Sequence, residues 1–302
     1  MSHADWPQLS LAEWEPTLLT LHRWTQIAGK IRMALAPWMN HWWHTTLYVT
    51  SEGLTTSSMP YRDRHLTLTF DFCAHRLTAH TSDNRRDGFA LEPMSVADFH
   101  QRMLALLARL DIAVDFSPIP QEVADQTPFT EDHKHADYDR AQVERVHRIL
   151  LSSSRVFSIH RGRFLGKASP VHFFWGGFDL AVTRFSGRTN PSPPPDRVMR
   201  QAYSHEVISH GLWFGGDWPM GGRVDEAVFY SYALPEPTGF RDAAVPPGAA
   251  YAPAFGEFFL PYRAVREASD PDGLLLDFME ATYLAGANAA GWEVAALRAE
   301  EK

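Results

Sequence analysis

The strictest alternation of apolar and polar positions is Leu66-Thr-Leu-Thr-Phe-Asp-Phe72, a period of two that predicts a strand with one buried face. Thr45 to Glu52 alternates in the same way. Leu77 to Thr81 and Gly88 to Leu91 read as further strands, parted by the turn-forming Ser82-Asp-Asn-Arg85. A helical period links Leu18, Leu21, Trp24, Ile27, Ile31 and Leu35 and stops at Pro37. Ser10-Leu-Ala-Glu13 has the spacing of a capping box, and Pro16 predicts that the helix restarts there. Ser95 caps a second helix with Phe99, Met103, Leu106, Leu107 and Leu110 on its apolar side. Asp139 caps a third, through Val143, Val146, Ile149 and Leu150, and Ser269-Asp-Pro-Asp starts the last with Pro271 at its first position. Val171 to Ser186, Ala227 to Ala233 and Glu257 to Leu260 read as strands. Ser117 to Asp137 has no period and reads as a linker or strap; 189–196 and 215–222 read as loops.

This order gives an α+β protein. Leu21 to Lys30 precedes a proline, His41-Trp-Trp-His44 and a strand; Ile159 to Lys167 precedes Pro170, His172-Phe-Phe-Trp175 and a strand. The echo predicts a tandem pseudo-repeat of two antiparallel-sheet-plus-helix halves packed around a central cleft. The halves span 1–116 and 138–302, joined by the strap 117–137 into one compact unit.

Charge narrows the partners. Lys and Arg number 28 against 36 Asp and Glu, a formal charge of −8 without basic runs, so nucleic acid is not an expected partner. The most apolar stretch, Val171 to Val182, is short and holds His172 and Asp179, so no membrane span is expected. One cysteine, Cys73, and no secretory pattern at the N-terminus point to a cytoplasmic protein. The chain has 15 His and 10 Trp, which direct attention to the two echoing segments.

Two kinds of chemistry can be built there. His41, His44, His172 and His205, with Glu206 or Asp179 as carboxylate, form a candidate set for zinc or iron. The run His205-Glu-Val-Ile-Ser-His210 is not a zincin motif, because its histidines are five apart and would not share a helical face. Basic residues beside glycine, Lys30, Arg32, Lys167, Arg184 and Arg188, are candidates for holding an anion. Neither Gly-Lys pair completes a P-loop and no Gly-x-Gly-x-x-Gly occurs, so no nucleotide cofactor is expected. The candidate catalytic residues are Glu206 as general base, His172 and Asp179. Lys30, Arg32, Trp42, Trp43, Trp175, Arg184 and Tyr203 are the candidate substrate-binding residues. Tyr230 and Tyr232 alternate onto one strand face; with Tyr203 they are candidates to supply hydroxyls to the cleft, and core or rim packing is their expected role.

Five segments together carry a resemblance: Leu21 to Arg32, Asn40 to His44, Ser169 to Gly176, Phe178 to Arg188 and Tyr203 to Val207. They resemble the bacterial domain-of-unknown-function family numbered 5996 (DUF5996), from about Trp6 to Trp292. The resemblance implies a bacterial protein built around these segments and implies no reaction. The residues themselves point to an enzyme acting on a small organic substrate in an aromatic-lined, His-rich cleft. Its expected type is a metal-dependent hydrolase or lyase, or an iron oxygenase. The alternative is a non-catalytic protein that binds a small anionic ligand. A homodimer is the candidate assembly.

Overall fold

A computed structural model of the chain describes residues 5–218 and 222–299. The first helix, α1 (Leu11–Leu35), is buried at every position from Thr20 to Arg32. A helix buried on all sides needs no amphipathic stripe, and α1 lies inside the molecule. It passes straight through Pro16, so the expected restart does not occur. Pro16 removes one early hydrogen bond, and the burial of Trp14, Leu18, Leu21 and Trp24 on either side outweighs it. The Ser10 side chain makes no cap bond; its carbonyl accepts from the Glu13 and Trp14 amides.

The first sheet is an antiparallel meander of β1 (Tyr48–Val49), β2 (Gly53–Thr55), β3 (Met59–Tyr61), β4 (Arg64–Asp71), β5 (Arg76–Thr81) and β6 (Arg86–Ala90). β2 and β3 share one edge of β4. Leu66, Leu68 and Phe70 of β4 are buried, as the alternation predicts. Helix α2 (Val96–Arg109) follows, with the Ser95 hydroxyl accepting from the Asp98 amide as an N-cap does. Helix α3 (Arg140–Gly162) starts under the Asp139 cap.

The second sheet is also antiparallel, in the spatial order β7 (His172–Phe174), β8 (Asp179–Thr189), β9 (His205–Trp213), β12 (Val228–Leu234), β14 (Glu257–Pro261) and β13 (Ala250–Ala252), so that β14 inserts between β12 and β13. A short helix, α4 (Arg197–Ala202), joins β8 to β9. A small ribbon pairs β10 (Gly216–Asp217), in the stretch read as a loop, with β11 (Arg223–Val224) just after it. Helices α5 (Tyr262–Glu267), α6 (Pro271–Ala289) and α7 (Val294–Leu297) end the described chain. The two sheets meet at their first strands. Leu47 and Phe173 exchange backbone bonds of 2.8 Å and 2.7 Å in antiparallel sense.

Register divides the second sheet into two unlike faces. Leu180, Val182 and Arg184 share one face with Ile208, His210 and Leu212, turned toward α3 and α6. Arg184 is fully buried there and pairs with Glu280 of α6 at 3.1 Å. Glu280 also accepts from His160 Nδ1 at 2.8 Å, and His210 Nε2 meets the Thr282 hydroxyl at 3.0 Å. Asp179, Ala181 and Thr183 share the other face with Gly211, Ser209, Tyr230 and Tyr232. Among the described residues the long helices α3 and α6 pack against the first of these faces.

The strap crosses the molecule along α1. Gln26 donates to the Gln121 carbonyl at 2.7 Å and accepts from the Gln121 amide at 2.8 Å. Arg23 of α1 pairs with Asp132 at 3.2 Å, both fully buried. Asp132 also accepts from His135 Nδ1 at 2.8 Å and from the Lys134 and His135 amides.

Candidate functional site

Three carboxyls gather on the face of the second sheet that carries Asp179, Tyr230 and Tyr232. Asp179 begins β8, Glu257 begins β14, and Glu122 arrives from the strap. The Gly176-Gly177 turn lets Glu122 in. A Cβ on Gly176 would lie 2.2 Å from Glu122 Oε1, and one on Gly177 would lie 2.8 Å from Asp179 Oδ1 and 3.7 Å from Glu122 Oε2. The Asp179 and Glu122 carboxyls therefore flank a single point. Among the described residues none of the three has a cationic partner.

The wall beside them is tyrosine. Tyr230 donates to Asp179 Oδ2 at 2.5 Å. Tyr203 and Tyr232 hydroxyls meet at 2.8 Å, and Tyr230 stacks on Tyr232 with centroids 6.0 Å apart. The Thr183 and Ser209 hydroxyls meet at 2.9 Å on the same face. Small residues make this possible. Tyr230 pairs with Gly211 across β9, and Gly211 pairs in turn with Ala181 of β8. The tyrosine ring lies across Gly211 to reach Asp179 on the strand beyond.

A direct test of that packing is Gly211→Ala. The added Cβ would fall 2.1 Å from Tyr230 Cζ and 2.2 Å from its hydroxyl. The ring is stiff and cannot retract, so the expected cost is the ~1–3 kcal/mol of an overpacked core site. Calorimetry should show a fall in Tm of several degrees, larger than for Tyr230→Phe. An unchanged Tm in Gly211→Ala would contradict this packing.

Electrostatics set these carboxyls apart. Burial pushes Asp179 up to about 7, the Glu122 charge adds to the rise, and the Tyr230 hydrogen bond opposes it. Glu257 is raised to about 8, by burial first and then by the Asp179 charge. Glu122 is an exposed residue of the strap, and desolvation of its carboxyl beside Gly176 raises it. Like charges sharing a site cannot all ionise at neutral pH, so the cluster keeps protons there. Tyr230 and Tyr232 are pushed well above the usual tyrosine range by burial, and they remain hydrogen-bond donors.

Of the other candidate residues, a second group lies farther along the same strands. His41 and Trp42 sit in the turn Asn40–Trp42 with positive φ, 57° and 62°. His41 Nδ1 donates to the Ala202 carbonyl at 2.9 Å, and its Nε2 accepts from Lys167 Nζ at 2.7 Å. The His205 ring is 5.8 Å from that of His41, and Trp43 and Phe185 complete the group. His44 is elsewhere: its Nδ1 accepts from the Met39 amide and its ring stacks on Trp42. Trp42 donates to the Val198 carbonyl at 3.0 Å. His172 is fully buried against Trp43 and Phe174 with both ring nitrogens unpartnered, and burial lowers it to about 3. It makes no hydrogen bond with Asp179. Among the described residues no group of three or more His, Cys, Asp or Glu side chains is arranged to hold a metal ion.

Three of the cations expected to bind a ligand are inside the protein, while Lys167 and Arg188 are exposed. Lys30 is buried between Trp175 and Phe129, Arg32 donates to the Thr56 carbonyl, and Arg184 belongs to the Glu280 network on the helix-covered face. Gly29, next to Lys30, is there for Trp175: a Cβ on it would lie 2.2 Å from the indole. Trp175 donates to the Thr45 carbonyl at 2.8 Å. Glu206 points to the helix-covered side, takes bonds of 2.6 Å and 2.9 Å from Arg188, and lines a groove of about 170 Å³ with Ile208, Leu234 and Trp292. Asp179 and Tyr203 thus come together, while Glu206, His172 and the three cations do not join them. Glu122 and Glu257 are the site residues that the sequence reading does not name as candidates, and Tyr230 and Tyr232 are ones it expects chiefly to pack.

The chain belongs to the family of unknown function DUF5996, which it matches over residues 6–299. No curated protein and no solved structure matches it. No helix among the described residues is long and apolar enough to cross a membrane.

Proposed function

We propose that this protein is an acid–base enzyme for a small neutral or cationic substrate that carries hydroxyl or amine groups. The observation that carries this reading is the convergence of Asp179, Glu122 and Glu257, without a cation, beside the hydroxyls of Tyr203, Tyr230 and Tyr232. A carboxyl still protonated near neutral pH can give a proton, and an ionised neighbour can take one. Tyrosine hydroxyls hold hydroxyl or amine groups of a substrate by hydrogen bonds, and the acidic surroundings favour a positive charge. Hydrolysis or a lyase-type elimination are the reaction types such a pair serves. Asp179 is the expected proton donor, with Glu122 or Glu257 as the ionised partner.

The metal-dependent form of the reading has one supporting contact, the approach of His41 and His205. Both ring nitrogens of His41 are engaged within the protein. The anionic-ligand alternative loses Lys30, Arg32 and Arg184 to the interior. The two halves, each opening on a long helix followed by an antiparallel sheet and at least one more helix, support a tandem duplication; the acidic site lies on the sheet of the second half, completed by the strap.

Thermal-shift measurements at pH 7 test the proposal with simple glycosides, amino sugars, polyamines, carboxylates and phosphates. Stabilisation by members of the first three classes is expected, and its loss in Asp179→Asn and Glu257→Gln. Stabilisation by carboxylates or phosphates alone, unchanged in both variants, would overturn the reading.

A further inference from the structure

The face that carries Asp179 and Glu257 also holds a small aromatic cluster, separate from the main core. Register places it between the two carboxyls. Trp213 stands opposite Asp179 across β8 and β9, and Phe259 stands opposite Tyr230 across β12 and β14, two residues from Glu257. Two loops bring further rings onto them. The ribbon carries Trp218, whose amide donates to the Gly222 carbonyl at 2.9 Å. The turn between β13 and β14 carries Phe255, whose amide donates to the Ala252 carbonyl at 3.0 Å. The rings follow one another from one acid toward the other. Centroids are 5.3 Å apart for Trp213 and Trp218, 6.2 Å for Trp218 and Phe255, and 5.1 Å for Phe255 and Phe259. The first two pairs cross at 78° and 72°, so their rings meet as the walls of a corner and not as a stack. Trp218, Phe255 and Phe259 are each partly exposed, so a ligand can reach them.

Hydrogen bonding and charge are satisfied unequally on this face. The Tyr203 and Tyr232 hydroxyls bond to each other, as do those of Thr183 and Ser209, and Tyr230 donates to Asp179. Much of the hydrogen-bonding capacity is thus spent within the protein, which disfavours a ligand that presents many hydroxyls. The carboxyls are not neutralised in this way: among the described residues no cation acts on Asp179, Glu122 or Glu257. Ring faces and unpaired carboxylates both attract positive charge. An ammonium covered by alkyl groups is weakly hydrated and has an apolar surface, so it suits the rings better than a bare ammonium does. We propose that this aromatic corner recognises an alkylated ammonium group of the substrate, with Trp218, Phe255 and Phe259 as specificity-determining residues. The proposal rests on the acid–base reading of the carboxyls and narrows its substrate to one class. The rings hold the cationic head, and Asp179 and Tyr230 meet the part of the molecule attached to it.

Calorimetric titration of the full-length protein at pH 8 compares choline with 3,3-dimethylbutan-1-ol, which has the same shape and hydroxyl and lacks the charge. Choline should bind at least about tenfold more tightly than the alcohol, the ratio expected where a cation is desolvated against ring faces. This ratio is read on the unmodified sequence and does not depend on any variant folding. Trp218→Leu and Phe259→Leu keep an apolar side chain and remove the ring; each should weaken choline at least about fivefold and leave the alcohol unchanged. Trp218→Phe restores a ring and should recover part of the loss. Unfolding of each variant is followed alongside, so that lost binding at an unchanged Tm reports on the rings and not on the fold. Equal affinity for choline and the alcohol, no choline binding at millimolar concentration, or choline binding that both leucine variants retain would overturn the proposal. Tighter binding of putrescine than of choline would do the same, since it would show the carboxylates acting without the rings. Glycosides or amino sugars that bind through Asp179 where choline does not would remove this inference and leave the acid–base reading standing.

Discussion

Asp132→Ala is expected to destabilise the protein by about 3–5 kcal/mol, because it leaves the Arg23 guanidinium buried without its counter-charge. Arg23 and Asp132 are among the most enclosed charged side chains in the molecule. The same carboxylate accepts from His135 and from two backbone amides of the strap. Its loss therefore frees the strap as well as the cation. The strap also buries Phe129, which packs near Lys30. Thermal unfolding should fall by roughly 10 °C, at the few degrees per kcal/mol typical of chains of this size or somewhat smaller. Replacing both partners, Arg23→Met with Asp132→Leu, should recover much of that, since removing a buried pair together spares the uncompensated charge. A Tm for Asp132→Ala within two degrees of the parent would show that the strap is not fastened by this pair. Glu122 reaches the acidic site on the same strap, so the variant should also weaken any ligand response at Asp179.

The second large effect has the opposite sign. Asp179→Asn removes a carboxyl whose folded-state value, about 7, lies above its unfolded value near 4. With a raised value the folded state holds its proton after the unfolded state has lost it. The contribution to stability is fully present below pH 4 and is lost as pH rises through 7. Asparagine carries no such dependence. The variant should therefore be more stable than the parent at pH 8, by about 2 kcal/mol once water access to the carboxyl is allowed for. It should lose that advantage at pH 4. Urea unfolding at the two pH values measures this directly. A variant less stable than the parent at both would mean that Asp179 is ionised and held by favourable contacts. Gain of stability at pH 8 with loss of ligand response is the pattern of a residue kept for chemistry at the expense of the fold.

Much of the fold was legible because local signals coincided with burial. The alternation at Leu66–Phe72 became β4, and the caps at Ser95 and Asp139 formed as read. Ser10 did not, because its amide partners were met by its own carbonyl. The site was legible only in part. Asp179 stands out as a carboxylate in an apolar strand, and Tyr203 lies within a recognisable segment. Glu122 carries no local mark: it lies in an aperiodic stretch, and its place is set by Gln26, Arg23 and the Gly176-Gly177 turn, all distant in sequence. Glu257 begins a short alternating strand whose face depends on sheet order. Lys30 and Arg184, two of the basic residues near glycine, are placed in the interior for a physical reason. Gly29 makes room for Trp175, and Arg184 faces the helices because β8 alternates and Asp179 takes the other side.

Acid–base chemistry at Asp179 requires carboxyls that keep their protons at neutral pH on this face of the second sheet. Carbon-13 NMR titration of the Asp and Glu side-chain carboxyls, assigned with Asp179→Asn and Glu257→Gln, tests it most directly. Two resonances should titrate near 7 and 8, and each should shift when the other residue is replaced, because the two charges are coupled. Titration of both groups between about 3.5 and 5, the ordinary carboxylate range, would contradict the account.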